Sequence, residues 1–402
     1  MRINVKNFLY FIVCSWIIIS SVYYVDALLT GITRTFVEEN LLHKLVKYIV
    51  CFLISLFLCF ISRSYKLILL SLLFYSFSLF SFIISNEHIT LFSTTMLIIG
   101  SMCSFCLLLP LFYERIDSIN RIFIFSGILI GFFSILEITV FYDQMSSYWR
   151  ATGGIRSISS LFNPNNSGLY AGAIILLIFS IGINKSIITL LSLGLSTFTL
   201  VASGSRTAWV SLFIIFFLSL FMKDKASQNI RGYIPFLFVL GIFFLFFQLL
   251  GYGIVINGDI ENQHRGLDIY TADIRVQNFI YYISSLDIDL LLPDFTDKRI
   301  KFIQDNVYLV ILNMFGLVGF VFLFFCFIFL HVKSYMHWRK PSKDISAWKI
   351  VFYYLIISGL SGSFINSFPM NQIFFISIGY FLFKKKGNEV NHIKFGKVAI
   401  NV

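Results

Sequence analysis

The sequence predicts an all-α integral membrane protein, a polytopic bundle of about twelve transmembrane helices with one large extracytoplasmic loop. Three observations carry this reading. Hydrophobic residues make up 58% of the chain and charged residues 13%, against roughly 25% charged in an ordinary soluble domain. About twelve apolar stretches have the length that a bilayer's hydrocarbon core demands of a helix. The charges gather between those stretches, unequally on alternate sides. The whole chain, 1–402, reads as a single membrane domain.

The stretches fall at about 8–25, 45–61, 67–84, 91–112, 122–142, 167–182, 186–202, 208–222, 233–256, 307–332, 348–366 and 370–383. The first follows Arg2 and Lys6, as the core of a signal peptide would. No small-residue cleavage site comes after it and the chain stays apolar, so it reads as a retained span. The fourth holds Cys103 and Cys106 at CxxC spacing, but mid-span and without partner ligands. All six cysteines lie in or at spans, which leaves no disulfide framework in the loops. The fifth carries Glu137 about one turn from its outer end. A carboxylate inside a span is costly and often functional; at that depth it reads equally as an interfacial side chain reaching water. Gly127 and Gly131, and Gly168 and Gly172, have the spacing that lets helices approach closely, which marks packing.

Between the ninth and tenth stretches lies a polar loop of about fifty residues, 257–306, holding nine of the twenty acidic residues: Asp259, Glu261, Asp268, Asp273, Asp287, Asp289, Asp294, Asp297 and Asp305. Polar backbone of that length cannot lie in lipid, and long loops are more often functional than passive. Within it Val276, Phe279, Ile280, Ile283 and Leu286 recur at helical spacing until Pro293. That pattern predicts an amphipathic helix on the membrane surface, with Thr271 as its N-cap.

Charge sets the expected orientation. With both termini cytoplasmic, the inner segments hold 20 of the 31 Lys and Arg and five acids, a net of +15. The outer segments hold 11 basic residues and 14 acids, a net of −3; Glu137 completes the total of +11. This follows the positive-inside rule. The basic balance therefore reports topology and anionic headgroups, not nucleic acid. No phosphate-binding glycine loop is present, which argues against an ATP-driven transporter.

The outer face carries three arginine-bearing elements: the loop 143–166 with Arg150 and Arg156, ending in Asn163-Pro164-Asn165-Asn166; the short turn Ser203-Gly204-Ser205-Arg206-Thr207; and Asp273-Ile274-Arg275 in the large loop. Singly, each arginine reads as an interfacial anchor or a solvated ion pair. Together they read as a phosphate clamp, because a planar five-donor fork suits phosphate bidentately whereas lysine offers a point charge.

Three segments together resemble the O-antigen polymerase (Wzy-type) and O-antigen ligase superfamily of bacterial polysaccharide assembly. They are Phe162-Asn163-Pro164-Asn165-Asn166-Ser167-Gly168 entering a span, the Ser203–Thr207 turn, and Asp305-Asn306-Val307-Tyr308-Leu309 followed by Asn313-Met314-Phe315-Gly316 at the exit of a large outer loop. The similarity in layout covers the chain from about residue 60. One departure is Asp305, where many members, the ligases especially, have histidine.

The resemblance implies a GT-C-like glycosyltransferase in a bacterial inner membrane, acting on undecaprenyl-pyrophosphate-linked oligosaccharide with a flippase and a chain-length regulator as pathway partners. It implies electrostatic roles for Arg206 and Arg275, and contacts to carrier or glycan from Arg150, Arg156, Asn163, Asn165, Asn166, Asn306 and Tyr308. The base for the attacking sugar hydroxyl is open among Asp305, Asp273, Glu137 and His264, and Asp305 also reads as the N-cap of the helix starting near Val307. With arginines in the cation role, no metal or other cofactor is expected. The competing readings are an O-antigen ligase and, from a different class, a flippase or other secondary transporter. Against the transporter, polar residues concentrate at one face rather than at the bilayer midplane.

Overall fold

The computed structural model describes residues 5–31, 41–86, 89–152, 156–183, 186–236, 238–239, 241–242, 277, 280, 284, 291–295, 306–337, 343–362 and 364–382. It is all-helical, with no strand among the described residues. In chain order the helices are α1 Val5–Ser21, α2 Val25–Thr30, α3 Leu41–Ser62, α4 Tyr65–Ile84, α5 Leu91–Met102, α6 Leu108–Leu111, α7 Ile116–Thr139 and α8 Tyr142–Thr152. They continue with α9 Pro164–Ile181, α10 Ile187–Ala202, α11 Arg206–Ser219, α12 Lys225–Arg231, α13 Val307–His337, α14 Lys343–Ser358 and α15 Met370–Leu382.

Among the described residues, seven helical stretches are long and apolar enough to cross a membrane: Val5–Thr30, Leu45–Ser62, Tyr65–Ile84, Leu91–Leu111, Tyr113–Thr139, Pro164–Ile181 and Val307–Val332. α10, α11 and α15 are apolar but shorter. Most of the 233–256 stretch, and the amphipathic segment expected after Thr271, lie outside the described residues.

α9 is the central helix. Sixteen of its 18 residues are buried, whereas α13 leaves Phe322, Phe324, Phe325 and Phe329 exposed. A helix apolar all round belongs in an interior. The glycines make that possible: a Cβ on Gly168 would press to 2.6 Å from the Ser203 hydroxyl, and one on Gly172 would overlap the Tyr354 ring. Across α7, Gly127 and Gly131 do the same against Ser192, Ser196 and Leu195 of α10.

Two spans expected to be continuous are broken, each for a local reason. The 91–112 stretch tightens into a 3₁₀ turn at Cys103–Leu107 between α5 and α6. Pro110 has no N–H to offer the carbonyl of Cys106, four residues earlier. Gly379 of α15 packs against that carbonyl, where a Cβ would stand 2.6 Å away. The nearby thiols bind helices together: Cys59 Sγ lies 2.9 Å from Ser104 Oγ, and Cys103 Sγ lies 3.0 Å from Ser71 Oγ.

The second break is in α13, where Gly316 adopts φ 67°, ψ 177°. The amide of Leu317 would close the helix onto the Asn313 carbonyl; instead Asp294 N–H donates to that oxygen at 3.1 Å. The return segment of the large loop, 291–295, is thus wedged into the bundle. The Leu291 and Leu292 backbone lies over Gly316, the Phe295 ring packs on Phe80 and Phe92, and Ser81 donates to the Phe295 carbonyl at 3.0 Å. Asp294 is consequently buried rather than solvated.

Candidate functional site

The ends of α7 and α10 and the starts of α3, α9, α11 and α13 meet at one end of the bundle. The centre of this end is the segment 156–163, which the sequence left as part of a loop from 143 to 166; its first part is instead helical, as α8. Ser157 N–H donates to the Ala202 carbonyl at 2.9 Å, so the segment lies along the end of α10. Ser159 and Phe162 have φ of 51° and 63°. Non-glycine residues hold that left-handed conformation only where their surroundings over-determine it, at a cost of about 1–3 kcal/mol each.

Glu137 is what over-determines it. Its side chain is fully buried (0% exposed), so it is not the interfacial carboxylate reaching water that its depth allowed. One oxygen accepts from the Ser157 hydroxyl at 2.6 Å and the Ser159 amide at 2.7 Å; the other accepts from the Ile158 amide at 3.1 Å. Hydrogen bonds contribute about 0.5–1.5 kcal/mol each net, so three of them are comparable to the cost of the two strained residues. Further bonds pin the same turn from other sides. Ser159 Oγ donates to the Ile130 carbonyl at 2.6 Å, Ser160 Oγ to Ser21, and the Tyr24 amide to the Ser160 carbonyl at 3.2 Å.

The turn delivers two groups to this end of the bundle. Arg156 Nη2 donates to Asn165 Oδ1 at 3.1 Å, and the Arg156 stem lies over Gly204, where a Cβ would touch it at 3.8 Å. Asn163 caps α9, its Oδ1 accepting from the Asn165 amide at 2.8 Å, with Pro164 at the first helical position. Ser205 caps α11 by accepting from Ala208 N–H, which places Arg206 at that helix's first residue. The first two arginine elements are therefore neighbours, joined through Arg156 and Gly204.

α13 begins next to them. Asn306 caps it, its Oδ1 accepting from the Tyr308 and Leu309 amides at 2.9 and 3.2 Å. Val307 N–H donates to the Gly359 carbonyl at 2.9 Å, while Thr207 Oγ1 lies 2.6 Å from Ser361 Oγ. The segment after α14 thus bridges α11 and α13. Tyr308 Oη donates to the Ile356 carbonyl at 2.5 Å and Asn166 is buried, so these two candidates are occupied in packing. Arg275, Asp273, His264 and Asp305 lie outside the described residues, as does the Arg150 side chain.

One residue of this end escaped the sequence reading. Lys47, near the start of α3, is 2% exposed, and its ammonium donates to Tyr24 Oη at 2.5 Å. It lies within 5.2 Å of the Tyr24 ring, 5.1 Å of Tyr48 and 5.6 Å of Phe368. Tyr24 in turn stacks on Phe162 at 5.1 Å. The available signal was a lone lysine two residues inside an apolar run.

Chemically, this end presents the N-termini of α9, α11 and α13 together with two guanidinium groups, an arrangement that attracts anions. Among the described residues no group of three or more His, Cys, Asp or Glu side chains is placed to hold a metal ion. The chain matches no family model, no curated protein and no solved structure.

Proposed function

We propose that this chain is a polysaccharide polymerase of the bacterial inner membrane, with about twelve spans, a GT-C-like architecture and both termini in the cytoplasm. It transfers a glycan from an undecaprenyl-pyrophosphate carrier to the sugar hydroxyl of a second lipid-linked repeat unit. The observation that carries this reading is that Arg156, bonded to Asn165 in the first turn of α9, lies over Gly204, two residues before Arg206 at the start of α11. A pyrophosphate leaving group is already a good anion and needs charge stabilisation more than protonation. Preorganised donors aimed at developing charge supply that term. Glu137 acts in this scheme by shaping the turn that carries Arg156, so the base is sought among Asp305, Asp273 and His264. Arg275, in the large loop, completes the clamp.

The transporter reading gains one feature, the broken helix at Gly316, since transporters build midplane sites from discontinuous helices. Here the break is filled by the loop's own Leu291–Asp294 backbone, which favours a fixed scaffold. Incubating the purified protein with lipid-linked repeat units and resolving products by chain length tests the proposal: a ladder supports it, and unextended units oppose it.

A further inference from the structure

The corner before α2 and the start of α3 bring two further titratable side chains, His43 and Asp26, to the arginine end. α2 is held at both of its ends. Before it, the Tyr24 amide donates to the Ser160 carbonyl at 3.2 Å. After it, Gly31 at φ 65° packs so closely on the Gln144 carbonyl of α8 that a Cβ would collide with it. Asp26 stands in the first turn of this fixed helix. α3 is tied to the same corner: Tyr23 Oη donates to the His43 carbonyl at 2.7 Å, and Lys47, one turn further on, donates to Tyr24 Oη at 2.5 Å. The His43 ring lies 5.2 Å from the Tyr23 ring and 6.1 Å from the Tyr24 ring, between centroids. Tyr24 stacks on Phe162, whose neighbour Asn163 caps α9. One aromatic ring therefore separates His43 from the segment that carries Arg156.

His43 Nδ1 lies 3.6 Å from Asp26 Oδ2, with the two side chains 34% and 58% exposed. At that exposure the pair adds little stability. Its chemistry has a direction, however. A carboxylate beside one ring nitrogen favours the proton there, leaves a lone pair on the other nitrogen, and stabilises the imidazolium once that lone pair has taken a proton. A separation slightly beyond hydrogen-bond length is usual for such a pair before substrate is bound. Among the described residues no hydrogen bond reaches His43 Nε2. Glu137, the other base candidate described at this end, is buried and already accepts three hydrogen bonds.

We infer that His43 is the general base of the proposed polymerase reaction and Asp26 its positioning residue; the inference rests on that reading. His43 Nε2 takes the proton of the acceptor sugar's hydroxyl as the hydroxyl oxygen bonds to the donor's anomeric carbon. The bond from that carbon to the pyrophosphate breaks, and its electron pair leaves on the oxygen that the arginines stabilise. The imidazolium then gives its proton to water. The acceptor sugar accordingly sits at the α2–α3 corner, and the donor pyrophosphate at the starts of α9 and α11.

The kinetics of extension of lipid-linked repeat units by the purified protein test this. His43→Ala is expected to lower kcat about a hundredfold, as loss of a general base does, with KM and the thermal midpoint near the parent's. Added imidazole, a free base of the same kind, restores rate to His43→Ala and leaves the parent and Arg206→Ala unchanged. Asp26→Asn gives a smaller loss, again in kcat rather than KM. A parent-like rate in His43→Ala, or a loss that imidazole does not relieve, overturns the role of His43 while the parent's own ladder leaves the polymerase reading standing. A parent that makes no ladder overturns both.

Discussion

The Ser157 hydroxyl donates to the buried carboxylate of Glu137 at 2.6 Å, one residue after Arg156. A side chain deep in the end of α7 therefore sets the backbone from which the Arg156 guanidinium reaches Asn165. Glu137→Gln replaces an acceptor oxygen by an NH₂ group among three donors. The expected loss is about 3 kcal/mol, as for other uncompensated buried polar changes, read as a lowered midpoint in detergent thermal unfolding. Glu137→Asp falls in between. An unchanged midpoint in Glu137→Gln would remove the carboxylate from the role given to it.

Arg156→Ala and Arg206→Ala are each expected to lower polymerisation about a hundredfold, the effect of removing one preorganised donor from a developing anion, with protein levels near normal. Arg275→Ala should behave alike. Lysine at these positions rescues poorly because the fork geometry is lost. Product ladders from cells or from purified protein read this out, and full rescue by lysine at all three would reduce the arginines to plain positive anchors.

Gly316→Ala tests the break in α13. Alanine cannot adopt φ 67° without strain, and its Cβ would collide with the Leu291 and Leu292 backbone. The expected cost is about 2–3 kcal/mol or release of the 291–295 segment. Limited proteolysis near Leu292 distinguishes the two outcomes, and a variant as stable and as resistant as the parent would contradict the wedge.

Orientation is tested by a reporter that is active only in oxidising compartments. Fused after Val402 it should stay silent, and inserted near Gly258 it should become active. The reverse pattern would move the arginine end to the cytoplasm and end the extracytoplasmic scheme.

Much of this arrangement was legible in the sequence. Membrane class followed from composition and the packing glycines from their spacing, whereas the caps at Asn163 and Ser205 appear only with the helices they start. What stayed hidden depends on contacts between distant segments. Nothing local to Glu137 reveals that its donors come from residues twenty or more positions later. Lys47 is an ordinary basic residue until Tyr24 and Phe368 close around it. The 3₁₀ turn at Cys103–Leu107 was signalled by Pro110, but its use became visible only with Gly379 in place.

In the proposed scheme arginines and helix N-termini, without a metal, stabilise a departing lipid pyrophosphate. Its most direct test is a single reaction: purified protein, a lipid-linked oligosaccharide repeat unit and a strong chelator, with product length and released undecaprenyl pyrophosphate both quantified. The expected result is a polymer ladder with one carrier released per bond formed, and its collapse in Arg156→Ala and Arg206→Ala. Loss of all extension on chelation, restored by a divalent cation, would contradict it.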